Sequence, residues 1–418
     1  MSMTHSQKLY PQSTICVEAY NVMTRILVIS EKYWPEGGGA ELATHRILEY
    51  LNSQGFEITV LTGTPNPRSI SGIKYVYEPL LRASKKIQLW MNCLILKNTH
   101  KFRKLVETTD IVYIPGISYP LLAGLKDRKI VIHLHNYQPI QYTQFIPAPY
   151  EKTSSIIGTA ILDYYLGKLE YNHVIYGLVA TSLSMFNKLN KKAVMRAHVI
   201  LCPSKRQREI IVSSIPELSG RVYVTPNPPP VIPDIKNSTK SDVPSIIYAG
   251  GKSKVKGSHI ALNIVFRLAT KSKFEAYMLG MSTQPRVINK HPSKIILYPK
   301  LPHHEVLNLL LGSWVLLFTS IVEEPFPYIV YEAAFLGTLP LSTNVGGVFE
   351  MLKGTIGQQY IIDLYNYRLM IEKLSYILSM SPDEMMSISR TLSQQIKEKY
   401  NENKILNTYL RIFKDREL

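Results

Sequence analysis

The chain has 418 residues, 45% hydrophobic and 19% charged, which allows two or three domains with sizeable cores and argues against a disordered chain. Forty-eight Lys and Arg against 31 Asp and Glu leave a formal charge of +17, which implies attraction to anions: nucleic acid, acidic lipid or phosphorylated substrates. No 18-residue uncharged apolar run is present, which speaks against a spanning helix, and Cys16, Cys93 and Cys202 are too scattered for a disulfide framework or a zinc site, so a reducing, cytoplasmic setting is expected.

Residues 1–22 lack the long apolar stretch of a secretory leader and are expected to be an N-terminal extension, with the fold starting at Met23. Ile26 to Ser30 is a buried-strand run, followed by a loop through Glu36 and the glycines Gly37, Gly38 and Gly39. Ala40 to Asn52 carries apolar residues at helical spacing and ends at Gly55, and Phe56 to Leu61 is the next strand. This is a βαβ unit with a glycine-rich first turn, although not the G-x-G-x-x-G of dinucleotide sites. Asp110 to Ile114 and Lys129 to Leu134 are further strand candidates, and the second runs into His133-Leu134-His135-Asn136. His133 and His135 point to one side if the strand continues, because side chains alternate.

Ile156 to Phe186 is apolar and aromatic but interrupted by Asp163, Lys168, Glu170 and His173, so it is expected to rest on a membrane rather than span one. The densest basic patch, Lys188 to Arg208, follows it; Lys191 to Ile211 reads as helix, strand and a helix capped by Ser204. Arg221 to Pro226 is a strand, and the polar, proline-containing Val231 to Val243 reads as a linker. Ser245 to Ala249 opens a second α/β unit, followed by Gly250 to Gly257 with Lys252, Lys254 and Lys256, then a helix from Ser258. His303-His304-Glu305 opens a later helix, but no further residues of metal-ligand spacing accompany it. Three terminal helices are expected over Leu364 to Met380, Asp383 to Tyr400 and Asn403 to Asp415. No nucleic-acid-binding module is recognisable, and no nucleic-acid partner is expected.

The densest chemistry lies in Glu323 to Glu350: a buried run from Trp314 to Ser320, then Glu324, the stiff Pro325-Phe326-Pro327 turn, a helix carrying Glu332, a second strand from Thr338, and Gly346-Gly347. Carboxylates accept hydrogen bonds from sugar or ribose hydroxyls. Free amides at a helix start favour phosphate. The glycines allow close backbone approach. The pattern describes a pocket for a ligand with both hydroxyls and phosphates.

The ordered set Glu324-x7-Glu332, Ala333, Gly337, Pro340 and Gly346-Gly347-x-x-Glu350 resembles the donor-site signature of retaining glycosyltransferases of family 4, in the GT-B superfamily. The resemblance covers about residues 23 to 416. It implies an α/β fold of two Rossmann-like domains facing across a cleft: an acceptor-side domain over residues 23–230, a linker at 231–243, a donor-binding domain at 244–400 and a crossover helix at 401–418 returning to the first domain. It implies no cofactor and no metal, a UDP- or GDP-hexose as co-substrate, and a lipid-linked or other saccharide acceptor. Gly38 and Gly39 would border the acceptor cleft and donor phosphates. His135 would contact the donor sugar, with Asn136 in place of the usual acid. Lys256-Gly257 matches the diphosphate loop, whereas Gly251 stands where an Arg is expected and Lys252 or Lys254 would supply the charge. Glu324 would face the donor sugar, close to the backbone of Phe326, Pro327 and Tyr328, and Glu332 would hold the ribose. The basic surface and the aromatics Tyr164 to Tyr176 suggest docking on an anionic membrane face. A non-catalytic nucleotide-sugar or lipid-binding subunit with a degenerate donor site is the alternative reading.

Overall fold

A computed structural model describes residues 23–125, 128–150, 156–171, 173–230 and 240–415. The expected extension at 1–22, most of the expected linker and the last three residues lie outside the described residues.

The first sheet contains β1 (Arg25–Ser30), β2 (Glu57–Thr62), β3 (Lys74–Tyr77), β4 (Ile111–Ile114), β5 (Lys129–His133), β6 (Val199–Cys202) and β7 (Val222–Val224). They lie in the order β3-β2-β1-β4-β5-β6-β7 with every pairing parallel. Its helices are α1 (Gly39–Ser53), α2 (Lys86–Leu96), α3 (His100–Glu107), α4 (Ile156–Tyr171), α5 (Val174–Leu183), α6 (Asn187–Val194) and α7 (Lys205–Ser214). The second sheet contains β8 (Ser245–Tyr248), β9 (Glu275–Met278), β10 (Arg286–Lys290), β11 (Ser293–Leu297), β12 (Val315–Phe318), β13 (Leu339–Thr343) and β14 (Ile361–Ile362). Their order is β10-β11-β9-β8-β12-β13-β14, and only β10 and β11 pair antiparallel. Around it lie α8 (Ser258–Leu268), α9 (His303–Gly312), α10 (Tyr328–Phe335), α11 (Val348–Leu352), α12 (Tyr367–Leu378) and α13 (Pro382–Lys399).

Alternation along the first strands builds two cores. Ile26, Val28, Tyr113 and Val131 face one layer, while Leu27, Ile29, Val112 and Ile132 face the other. Helices cover both faces, as a parallel sheet requires. In each sheet the strand order reverses direction beside the first strand, β1 or β8. The glycine turns after those strands therefore open at switch points, where ligands bind in open α/β sheets.

The last helix, α14 (Glu402–Lys414), crosses back onto the first domain. Its Ile405, Leu406, Tyr409, Ile412 and Phe413 are buried. Phe413 meets Tyr113 edge-on at 5.2 Å, and Tyr409 Oη donates to Thr225 O and Pro226 O, each at 3.3 Å. Lys240 is anchored in the second domain, donating from Nζ to Ser313 O at 2.7 Å, Thr338 Oγ1 at 3.0 Å and Leu311 O at 3.1 Å.

Candidate active site

The two glycine turns face each other across a cavity of about 430 Å³. Its first-domain wall includes Gly38, Gly39 and His135, and its second-domain wall includes Gly250, Lys256, Glu324 and the start of α10. Gly39 opens α1, and a Cβ there would run into the Tyr328 ring, so only glycine lets the two helix starts approach this closely. Gly257 caps α8 in the left-handed region at φ +75°, pressed against Thr319 of the strand-end loop.

Lys256 Nζ lies 2.5 Å from Glu324 Oε1, which also accepts from Ser320 Oγ at 3.0 Å. The pair places a cation and a carboxylate side by side on the cavity wall. Gly346, at φ +54°, packs against the Glu324 backbone, and Gly347 N donates to Glu324 O at 2.8 Å. The glycine pair thus serves as the bed on which Glu324 lies. Opposite, His135 is half-buried, with its ring 4.0 Å, centroid to centroid, from His133. Its Nε2 has no partner within the chain. Burial pushes the His135 pKa down to about 4, so the ring is neutral at pH 7. His133 is held by Tyr113, whose Oη lies 3.0 Å from His133 Nδ1.

Glu332 does not share this cavity. It lines a neighbouring one of about 790 Å³ with Trp34, Arg68, Lys300 and His303, the two being divided by Gly38, Gly39, Tyr328 and Ile329. Glu332 is buried and accepts from His303 Nε2 at 2.6 Å. Burial raises its pKa, and the bond to His303 opposes that rise. His303 orients a carboxylate twenty-nine residues away in sequence. Among the described residues there is no cluster of His, Cys, Asp and Glu able to hold a metal.

The side chains of several predicted residues are engaged in packing and in contacts between the domains. The Phe326 ring packs on Tyr331 at 5.1 Å and Tyr400 at 5.9 Å. Tyr328 Oη donates to Pro228 O at 2.7 Å, tying α10 to the first domain. Pro327 starts α10. Gly251 and Lys252 do not line the cavity, and Lys252 is exposed, so of the loop's cations Lys256 is the one on the cavity wall. Asn136 turns away into its own loop, accepting from Gln138 N at 2.9 Å, and lines a third cavity.

That third cavity, about 770 Å³, belongs to the first domain and is lined by Lys32, Glu36, Arg82, Lys85, Lys86 and Asn136 among others. Sequence reading missed it because Arg82, Lys85 and Lys86 lie in and just before the start of α2, a stretch with little periodicity, and Lys32 joins them only in the fold. The role of Glu350 was also missed. It accepts from Lys205 N at 2.9 Å and Arg206 N at 2.6 Å, completing the N-terminus of α7 from the other domain. Glu323 likewise bridges the domains, accepting from Arg206 Nη2 at 2.6 Å, Tyr150 N at 2.9 Å and Gly346 N at 2.7 Å.

Two facing Rossmann-like domains, with glycine turns, a lysine–carboxylate pair and a neutral histidine at their junction, define the GT-B class of architecture. Residues 37–229 match the profile of Glycosyltransferase Family 4, and residues 233–397 match that of Glycosyl transferases group 1. The chain belongs to glycosyltransferase family 4. It is 24% identical over 359 residues to a subunit of phosphatidylinositol N-acetylglucosaminyltransferase from Homo sapiens, covering 80% of this chain and 65% of the human protein, just under two thirds of its length. The Arabidopsis thaliana protein of the same name is 21% identical, over 86% of this chain and 76% of that one. Among solved structures, sucrose-phosphate synthase of Thermosynechococcus elongatus superposes with a TM-score of 0.68 at 13% identity, covering 93% of this chain and 98% of that one. HepE of Anabaena, solved with UDP-glucose, gives 0.62 at 12% identity over 93% and 98%. WaaG, a glycosyltransferase involved in lipopolysaccharide biosynthesis, gives 0.63 at 13% over 93% and 99%. These likenesses show the fold.

Proposed function

We propose that this chain is a retaining, metal-independent hexosyltransferase. It carries a sugar of the hexose class, of which its curated relatives name the N-acetylglucosaminyl member, from a nucleotide sugar to a hydroxyl of a lipid-linked acceptor. It works as a peripheral protein on the cytoplasmic face of a membrane. The observation that carries the reading is the Lys256–Glu324 pair at 2.5 Å, on the wall of a cavity also lined by His135, whose Nε2 has no partner within the chain.

The donor diphosphate draws Lys256 to itself and frees Glu324 for the hydroxyls of the sugar. Negative charge developing on the leaving group is met by Lys256 and by the starts of α8 and α10, whose first amides favour anions. The sequence has no D-x-D motif in the expected loop, and the cationic work assigned to a metal elsewhere falls here to Lys256. His135, neutral by burial, hydrogen-bonds the donor sugar from the acceptor side. Attack from the face that the leaving group vacates, within an ion pair, retains the anomeric configuration, and no residue is assigned as nucleophile. Glu332, already oriented by His303, takes the ribose hydroxyls in the adjoining cavity. The third cavity, with Arg82, Lys85 and Lys86 beside Glu36 and Asn136, suits an acceptor headgroup bearing both phosphate and hydroxyls.

A binding subunit without turnover is the second reading, favoured by Gly251 in place of a guanidinium fork. Incubation with UDP-N-acetylglucosamine and phosphatidylinositol vesicles separates the two. Release of UDP with a matching glycolipid product supports the transferase. Donor binding without release, across UDP- and GDP-sugars and several lipid acceptors, supports the non-catalytic role.

A further inference from the structure

The segment between β5 and β6 contains far more than a parallel crossover needs, which is about a dozen residues. Its α4 and α5 form a hairpin with two unlike faces. The inner face is clamped on the second domain: Leu166 packs with Val255 and Val322, and Glu170 Oε2 accepts from Ser253 Oγ at 2.9 Å and Val255 N at 3.1 Å. Ser253 and Val255 belong to the turn that carries Lys256. The outer face is apolar and uncovered. Ile157, Ile161 and Tyr165 recur every fourth residue along α4, and Ile175 and Leu178 continue the surface on α5, all of them 49% exposed or more. At the bend, Tyr171 stacks on Tyr176 at 4.6 Å between centroids.

We propose that the α4–α5 hairpin docks into an anionic phospholipid bilayer and that Glu170 carries the docked state to the donor phosphate turn. This rests on the proposed lipid-linked acceptor. A bilayer fits this face by its composition and charge. Tyrosines with aliphatic neighbours suit the boundary between headgroups and acyl chains. Exposed cations accompany it in the chain, Lys168 on α4 and Lys188 and Lys192 on α6, the helix that follows the hairpin. The hairpin's carboxylates point inward, Asp163 accepting from Thr143 N at 2.9 Å and Glu170 from the donor turn. Cations around an apolar face complement anionic headgroups. A bilayer holding the outer face fixes the inner one, and with it the bond from Val255 N to Glu170.

Two measurements on the full chain test this, neither of which uses a sugar donor, so failure of glycosyl transfer is read separately. The first is flotation with phosphatidylcholine/phosphatidylserine vesicles at low salt. The wild type should float, and the paired exposed-surface variant Ile175→Glu, Leu178→Glu should float at least tenfold less. A wild type that stays unbound overturns docking, as does equal flotation of the pair. So does a face that proves to be covered by a second copy of the chain, seen as a dimer that the pair dissociates without any lipid binding. The second is hydrogen exchange at the Val255 amide. Vesicles should slow it at least threefold in the wild type and leave it unchanged in Glu170→Ala. No slowing in the wild type, or equal slowing in the variant, overturns the link through Glu170.

Discussion

The roles proposed for Lys256, Glu332 and His135 each depend on one local environment, and each can be tested alone. Replacing Lys256 with Ala removes the cation facing the leaving group, and kcat should fall about 100–1000-fold, the range for losing one preorganised electrostatic partner. Wild-type turnover should persist in EDTA, and full loss with rescue by magnesium or manganese would refute the lysine assignment. Glu332→Ala should weaken donor binding by about 1.5–3 kcal/mol for each charge-assisted hydrogen bond lost, measurable by calorimetry on a folded variant. His303→Ala should reproduce part of that loss, because the carboxylate then lacks its orienting partner. His135 gives a pH signature. Its folded pKa of about 4 lies below the unfolded value of about 6.5. Between those values the unfolded chain takes up a proton that the native ring refuses. Stability is therefore complete above pH 6.5, falls as pH drops toward 4, and loses about 3 kcal/mol from this group. Urea melts at pH 7 and pH 4.5 should show a smaller pH loss in His135→Gln than in the wild type.

At the scale of elements, the turns matter more than the helices they join. Gly346 sits at φ +54° with its α-carbon against the Glu324 backbone. An alanine there meets both the left-handed strain of about 1–3 kcal/mol and a backbone clash that nothing flexible can relieve. Gly346→Ala should lower the melting temperature by several degrees and abolish donor binding, whereas Gly354→Ala, at φ +77° with open space around it, should cost strain alone and keep the site. The contrast separates backbone conformation from contact. A melting temperature for Gly346→Ala equal to that of Gly354→Ala would show that the bed under Glu324 can yield. The start of α7 is built on a similar principle but across domains, with Ser204 and Glu350 together satisfying its first amides.

Over the whole molecule, specific ties hold the two domains in register, among them Arg206 to Glu323, Glu350 to the α7 amides, Tyr328 to Pro228 and α14 on the first domain. Five apolar or aromatic side chains of α14 are buried, and burial of each is worth about 1.5–3 kcal/mol. Removal of residues 402–418 should leave the surface under α14 open, with loss of activity and aggregation read by light scattering. A truncated chain that stays monodisperse and active would show that the crossover is dispensable.

Much of this was present in the order of residues. Buried strand runs, the helix starts marked by Ser204 and Gly257, and the Glu324–Glu332 spacing are local patterns, set by a side-chain period or a backbone angle, and the sequence alone determines them. The edge strand β10 left no such pattern, because Arg286–Lys290 is largely exposed and polar and its pairing with β11 rather than its residues makes it a strand. The apolar stretch after Ile156 showed that a hydrophobic surface exists, but which side of each helix faces water required the hairpin to be packed. What the tertiary structure decided were encounters between distant residues. Glu324 and Glu332 line adjoining cavities rather than one pocket. His303 holds Glu332, Glu350 caps a helix of the other domain, and Glu170 reaches the donor turn. Charge and hydrogen-bonding capacity can be read from a residue's type, but the partner that satisfies it is set by how two separate sheets are brought face to face.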